Sequence, residues 1–161
     1  MANVRITTNT TGTQPLIVIG LTGANLANAS QAITVPFVQD VTITNSTGVY
    51  AYTDFTDVDQ RKLSTPADNK IGTNIVVDAT SYFGTNPSTG TTAPELGIAQ
   101  MSTNKNVLDF KVYWNGSANG AHYYSGSGFI TSLAPKTSPT QPVWITPLEI
   151  AVDGSFTSGT V

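Results

Sequence analysis

The sequence predicts an all-β domain with one short helix, and three observations carry that expectation. Thr, Ser, Asn and Gly together supply 65 of the 161 residues, and Thr alone supplies 26. Thr favours strands through its branched Cβ, while Ser and Asn compete with a helix for its backbone hydrogen bonds. Charged residues make up only 11% of the chain, against about 25% in an ordinary globular domain. A helical bundle draws on Ala, Leu, Glu and Lys, and here there are two Glu and five Lys. Third, several segments alternate apolar and polar residues with period two, the signature of half-buried strands.

Taken in order, the runs at 3–7 and 16–20 open the strand set. FVQDVTIT (37–44) alternates Val41 and Ile43 with Asp40 and Thr42, and VYAYTDF (49–55) follows. Residues 53–69 read as a loop by composition, the most charged stretch of the chain and too long for an ordinary hairpin turn. KIGTNIVVD (70–78) alternates through Ile71, Thr73, Ile75 and Val77. Residues 84–93 read as a second loop. The helix falls at 92–103: Thr92 or Ala93 caps it, Pro94 suits its first turn, Glu95 favours its positive end, and Leu96, Ile98, Ala99 and Met101 give a buried stripe. Gly97 weakens it by roughly 1 kcal/mol relative to Ala.

The clearest strand is VLDFKVYW (107–114), with Leu108, Phe110, Val112 and Trp114 on one face and Asp109, Lys111 and Tyr113 on the other. Asn115-Gly116 and Asn119-Gly120 supply the tight reversal into 121–133, where Gly126 and Gly128 mark a bulge or close backbone approach. After a turn-rich stretch at 135–142, PVWITPLEIAVD (142–153) places Trp144, Leu148, Ile150 and Val152 on one face, interrupted by Thr146. Pro147 lacks an amide donor and predicts an edge or a bulge there. The sum is seven or eight strands and one helix in a single domain over 1–161, with an N-terminal arm at about 1–14 and an extended loop at about 50–70.

The residue inventory excludes most chemistry. There is no cysteine, so thiol nucleophiles, thiolate metal sites and disulfides are ruled out. His122 is the one histidine, and Gly126-Ser127-Gly128 is a glycine-flanked serine inside a strand, the wrong setting for a nucleophile elbow. Asp54, Asp57 and Asp59 lack the spacing, Gly and closing Glu of a calcium loop; they read as a solvated loop or as charge facing a partner subunit beside Arg61 and Lys62. No phosphate-binding glycine motif opens a helix. Tyr113, Trp114, Tyr123 and Tyr124 cluster, but a net charge of −3 supplies no basic groove for nucleic acid, so core packing or a subunit contact is the better account. The apolar run 15–21 is too short to cross a bilayer and lacks signal-peptide flanks, so the chain reads as made in the cytosol. The four Asn-X-Ser/Thr triplets, at Asn9, Asn28, Asn45 and Asn115, are expected by chance in such a composition. What remains is a weakly charged, strand-rich module whose open edges favour self-association.

Residues 125–157, SGSGFITSLAPKTSPTQPVWITPLEIAVDGSFT, resemble the closing hairpin of major tail tube proteins of long-tailed bacteriophages. In that family a glycine-spaced strand ending in an Ile-Thr-Ser-Leu pattern is followed by a polar turn and a long strand closing on an acid and Gly. Gly126, Gly128 and Ile130 to Leu133 supply the first part, and Glu149 to Gly154 the second. The 40–43 stretch, the long loop after residue 50 and the helix before 107–114 follow the family's order, so the likeness covers about 37–157. Pro142 and Pro147 depart from the pattern.

The resemblance implies a β-sandwich or barrel-type subunit with no enzymatic activity and no cofactor or metal. Six copies would form a ring whose strands close a large barrel around a channel, and rings would stack into the tail tube for genome delivery. The implied partners are further copies of itself, a tail terminator, a tape measure, a baseplate or tip and, as a further candidate, a sheath. DNA would pass without specific binding, no membrane is involved, and the setting is the virion tail, with the host cytoplasm during assembly. The long loop would join stacked rings through Asp54, Asp57, Asp59, Arg61, Lys62 and Asp68. The polar pleat faces offer Asp40, Thr42, Asn74, Asp109, Lys111 and Glu149 as channel-facing candidates. The alternatives are a capsid decoration or head–tail joining protein, or a carbohydrate-binding β-sandwich module, for which Trp114 and Trp144 are the strong aromatic candidates.

Overall fold

The computed structural model describes residues 14–53 and 59–161. Ten strands and two helices follow in order. They are β1 (Leu16–Leu21), β2 (Ala32–Thr34), β3 (Thr42–Thr44), β4 (Thr47–Tyr52), β5 (Arg61–Ala67), β6 (Lys70–Val76), α1 (Ala79–Phe83), α2 (Ala93–Thr103), β7 (Leu108–Tyr113), β8 (His122–Leu133), β9 (Lys136–Ser138) and β10 (Gln141–Thr160). The expected segment 3–7 and nearly all of the N-terminal arm lie outside the described residues.

One sheet carries the fold, in the order β2-β1-β7-β8-β10-β6-β3, with β9 alongside β10. Every pairing is antiparallel. The two end strands, β2 and β3, do not pair with each other, so the sheet is not closed by hydrogen bonds. It is bent instead. Val35 donates its amide to Ile17 beside β1, whereas Val38 bridges Ile75 on β6, so residues 35–38 carry the chain from one side of the sheet to the other. The bend needs two long strands that serve both halves. β8 pairs β7 through 123–128 and then continues to 133, and β10 pairs β6 through 145–151 and then runs on to 160 beside the start of β8. The β8–β10 register slips between Asp153 and Thr157, and such bulges turn a strand from one packed layer into another.

Inside the bend sits a single core. Ile17, Ile19 and Ile33 from one half meet Ile71, Ile75, Leu148 and Ile150 from the other, with Phe110, Leu108 and Val112 between. The burial of β6 and β7 alternates strictly, as the sequence period predicts. Gly126 lies under the Phe110 ring, and a Cβ on Gly128 would collide with the Ala151 carbonyl, so the close approach expected of these glycines is present.

Several expectations are corrected. Residues 53–69 are not all loop, because 61–67 form β5, paired with β4. A second helix, α1, follows β6; Asp78 caps it by accepting the Ser81 amide at 2.9 Å, and Gly84 ends it at φ 76°. Five residues are too few to show a helical period. α2 is interrupted at Gly97, whose φ of 75° is non-helical, because Gly97 and Gly84 bring their backbones together so closely that a Cβ on either would strike the other segment. β2 and β9 were not expected either, and with β5 they bring the strands to ten among the described residues. Of 37–44, only 42–44 is strand, although Val38 makes its single bridge.

Pro147 pairs with β6 on one side only, because the β8 ladder ends at Leu148, and the β8–β10 register shifts just beyond it between Glu149 and Ile150, so the local edge and bulge expected of this proline are present. The Trp144 carbonyl accepts the Val77 amide, so even-numbered residues here bond toward β6 and the Pro147 nitrogen points the other way. On that side β8 has just ended, and the Ala134 amide bonds the Thr146 hydroxyl instead, at 3.0 Å. Thr146 is fully buried with its hydroxyl satisfied, whereas Trp144, expected on the buried face, is 54% exposed.

Candidate assembly surfaces

β4 and β5 form a two-stranded ribbon separate from the main sheet. It is the extension of the β3–β6 pair: β3 leads into β4 through Asn45 and Ser46, and β5 leads into β6 through Asp68 and Asn69. Asn69, 3% exposed, holds the junction, accepting the Ser46 amide and donating to the Gly154 carbonyl at 2.8 Å. Beyond that anchor every residue of β5 is exposed, as is every residue of β4 except Gly48. Tyr50 and Tyr52 stack at 6.3 Å between ring centres, and Tyr50 faces Leu63 across the ribbon. Val49, Tyr50 and Leu63 are each more than half exposed. A two-stranded hairpin is marginal alone in water, and bare apolar residues on one mark a contact surface.

The charged residues expected in this region are not together. Asp59, Arg61 and Lys62 lie at the far end, where Arg61 pairs Tyr52 and Lys62 pairs Ala51. Asp68 lies at the base, its amide bonded to the Ser46 carbonyl, roughly 20 Å away at the usual strand rise. Asp54 and Asp57 fall outside the described residues. The apolar residues of the ribbon were missed by reading charge alone; the signal was the aromatic alternation Tyr50, Tyr52.

Of the six channel-facing candidates, four come together. Asp40, Thr42, Asn74 and Glu149 surround a shallow pocket of about 240 Å³ on the face opposite Ile71 and Leu148. The Asp40 carboxylate accepts the Asn74 amide at 2.7 Å and its side-chain nitrogen at 2.8 Å, and Lys70 lies 3.7 Å from Glu149. Asp109 and Lys111 lie elsewhere, on β7, with β8 and β10 between them and β6. Asp109 accepts the Gly23 amide at 2.7 Å and the Ser127 hydroxyl at 2.6 Å. The Lys111 ammonium sits 4.7 Å over the Tyr123 ring, itself against Tyr113.

The aromatic cluster is accordingly a packed one. Trp114 meets Tyr124 edge-on, and Tyr124 stacks on Phe156. Trp144 instead helps line an apolar cleft of about 420 Å³ with Val77, Tyr82, Phe83, Ala99 and Pro135, a patch the sequence did not signal. Burial raises the Tyr82 pKa above its usual value. His122 is exposed at the start of β8. Among the described residues, no three His, Cys, Asp or Glu side chains gather as metal ligands, and no helix is long and apolar enough to cross a membrane.

Chains of similar fold occur in tail and injection-system assemblies. The chain is similar to one in the tail of an empty gene transfer agent particle, refined with C6 symmetry: TM-score 0.61, 15% identity, over 89% of this chain and 96% of that one. It is similar to a chain of the anti-feeding prophage baseplate at TM-score 0.59 and 7% identity, over 100% and 99%. A chain of the sheath-tube complex of an extracellular contractile injection system matches at TM-score 0.53 and 14% identity, over 90% and 88%. No family model matches the sequence, and no curated protein does. The likeness is one of fold, and it runs over 88% or more of every chain in these three comparisons.

Proposed function

We propose that this chain is a tail tube subunit: a structural protein that forms rings, six copies to a ring, which stack into the conduit of a virion tail. One observation carries the reading. The fold likeness runs over nearly the whole of this chain and nearly the whole of chains from three separate tail or injection assemblies. The sixfold symmetry applied to two of those assemblies supports the copy number. The ribbon supports stacking, because it offers an apolar face that the chain itself leaves uncovered. Asp40, Thr42, Asn74 and Glu149 are the channel-facing candidates; a wall poor in cations suits passing DNA, since each basic contact to phosphate adds salt-dependent binding. Caps, terminators, baseplates and a sheath are the partner classes that the likeness supports, and the virion tail is the place it supports.

Negative-stain microscopy of the purified chain tests this. Rings with a central hole, or hollow tubes, are expected; solid particles or a monomer at high concentration would refute it.

A further inference from the structure

We propose that Asn119 is a site of self-modification: its side-chain amide closes on the Gly120 backbone nitrogen and hydrolyses to aspartate and isoaspartate, while Asn115, in the same dipeptide earlier in the turn, is held unreactive by the fold.

An Asn followed by Gly is the pair most open to this reaction, because no Cβ hinders the approach of the backbone nitrogen to the side-chain carbonyl carbon. The glycine nitrogen gives its proton to solvent and attacks that carbon. The new N–C bond forms, the bond to Nδ2 breaks, and ammonia leaves with a proton from solvent. A water then opens the five-membered ring at either carbonyl, leaving a normal or a β-linked aspartate. The balance is one water consumed and one ammonia released. A nitrogen still donating to a carbonyl is no nucleophile, so each site reacts through its open state and its rate follows the cost of opening.

The segment between β7 and β8 holds the dipeptide twice. The second copy lies at the tip. Ala121 donates its amide to the Ala118 carbonyl at 2.9 Å, closing a four-residue turn in which Gly120 takes the third position at φ 85°. Asn119 and Gly120 are both exposed, and a Cβ on Gly120 would meet nothing within 4 Å, so the ring and the water that opens it have space. The restraint is the Gly120 amide, which donates to the Val161 carbonyl at 2.9 Å, and Val161 donates back to Ala121. Val161 is 47% exposed, so parting this pair uncovers little.

The first copy is packed. Gly116 is buried and donates its amide to the Gln14 carbonyl at 2.9 Å, and the Asn115 side-chain oxygen is buried as well. Trp114, just before it, donates its amide to the His122 carbonyl at 3.0 Å and lies edge-on to Tyr124, which stacks on Phe156. Freeing the Gly116 nitrogen therefore lifts a packed segment, and water reaches the carbonyl poorly. Asp153-Gly154 forms the same ring only from its protonated acid, and Asn69 clamps the Gly154 carbonyl at 2.8 Å. Each copy converted at Asn119 gains one negative charge on a segment, 115–121, that carries none. The β-linked product also adds a methylene to the backbone inside the turn. The reaction needs only the folded chain, so it stands apart from ring or tube formation.

The test keeps the purified chain at mildly alkaline pH in heavy-oxygen water and follows it by tryptic mass spectrometry. Lys111 and Lys136 bound one peptide, 112–136, that contains both sites, and its fragment ions separate them. Isoaspartyl methyltransferase labelling counts the β-linked product. In the folded chain Asn119 should convert at least about tenfold faster than Asn115, the ratio that about 1.4 kcal/mol of extra opening free energy gives, and each product should carry one heavy oxygen. In urea the two should convert at comparable rates. Asn119→Gln should remove the fast conversion and leave that of Asn115 as it was. Equal rates in the folded chain, a faster Asn115, or no conversion of Asn119 while the unfolded chain converts would overturn the proposal. A lead of Asn119 that persists undiminished in urea would overturn it too, since local sequence and not the fold would then set the order.

Discussion

Glu95 accepts the backbone amides of Thr91, at 2.8 Å, and Thr92, at 3.1 Å, and these bonds hold its carboxyl below the usual glutamate pKa. A group whose pKa is depressed by folding adds stability that is present above its unfolded value and is lost as the pH falls through its folded one. Glu95→Gln should therefore lower the urea midpoint at neutral pH. The gap to the wild type should close as the pH falls through and below about 4.3; a gap independent of pH would show that the charge is not what matters. Two glycines make a sharper contrast. Gly97→Ala forces a Cβ into a positive-φ site against the Gly84 backbone and should cost about 1–3 kcal/mol in urea unfolding. Gly72→Ala meets open space and should leave stability unchanged or raise it by up to about 1 kcal/mol.

The ribbon is the element whose removal should separate ring formation from stacking. Tyr50→Ser with Leu63→Ser strips its apolar face without touching the core, so single rings should form while long tubes should not. Tubes of normal length in micrographs would show that the ribbon does not join rings. Its history in the sequence is instructive. β7 was legible because burial on one face imposes period-two alternation, and β8 because the Asn-Gly dipeptides mark the turn that leads into it. β5 was not, because a strand exposed on every residue has no buried face to write a period, and Arg61, Lys62 and Pro66 read as loop chemistry. The wall candidates were legible as polar pleat positions. That Asp40, Thr42, Asn74 and Glu149 are neighbours while Asp109 and Lys111 stand apart was not, because alternation fixes a residue's face and says nothing of the order of strands.

For the assembled molecule, the sign of the wall is the property to change. Asp40→Lys with Glu149→Lys places two cations per copy on the face proposed for the channel. Tubes of this variant should carry DNA down in sedimentation at low salt and release it as salt rises, with wild-type tubes leaving DNA in the supernatant throughout. If the variant tubes bind no more DNA than the wild type, those two residues do not meet the cargo.

The ribbon's bareness has a kinetic meaning as well. If the ribbon joins rings as proposed, a free chain gains little by ordering β4 and β5, since the pair packs chiefly on itself, whereas a chain arriving at a growing end meets a surface that rewards the order. The first stack is then the slow event and each later addition is fast. Tube formation should show a lag, a threshold concentration and the removal of both by seeding with tube fragments. On the proposed reading, a subunit built this way would wait for an end to grow from.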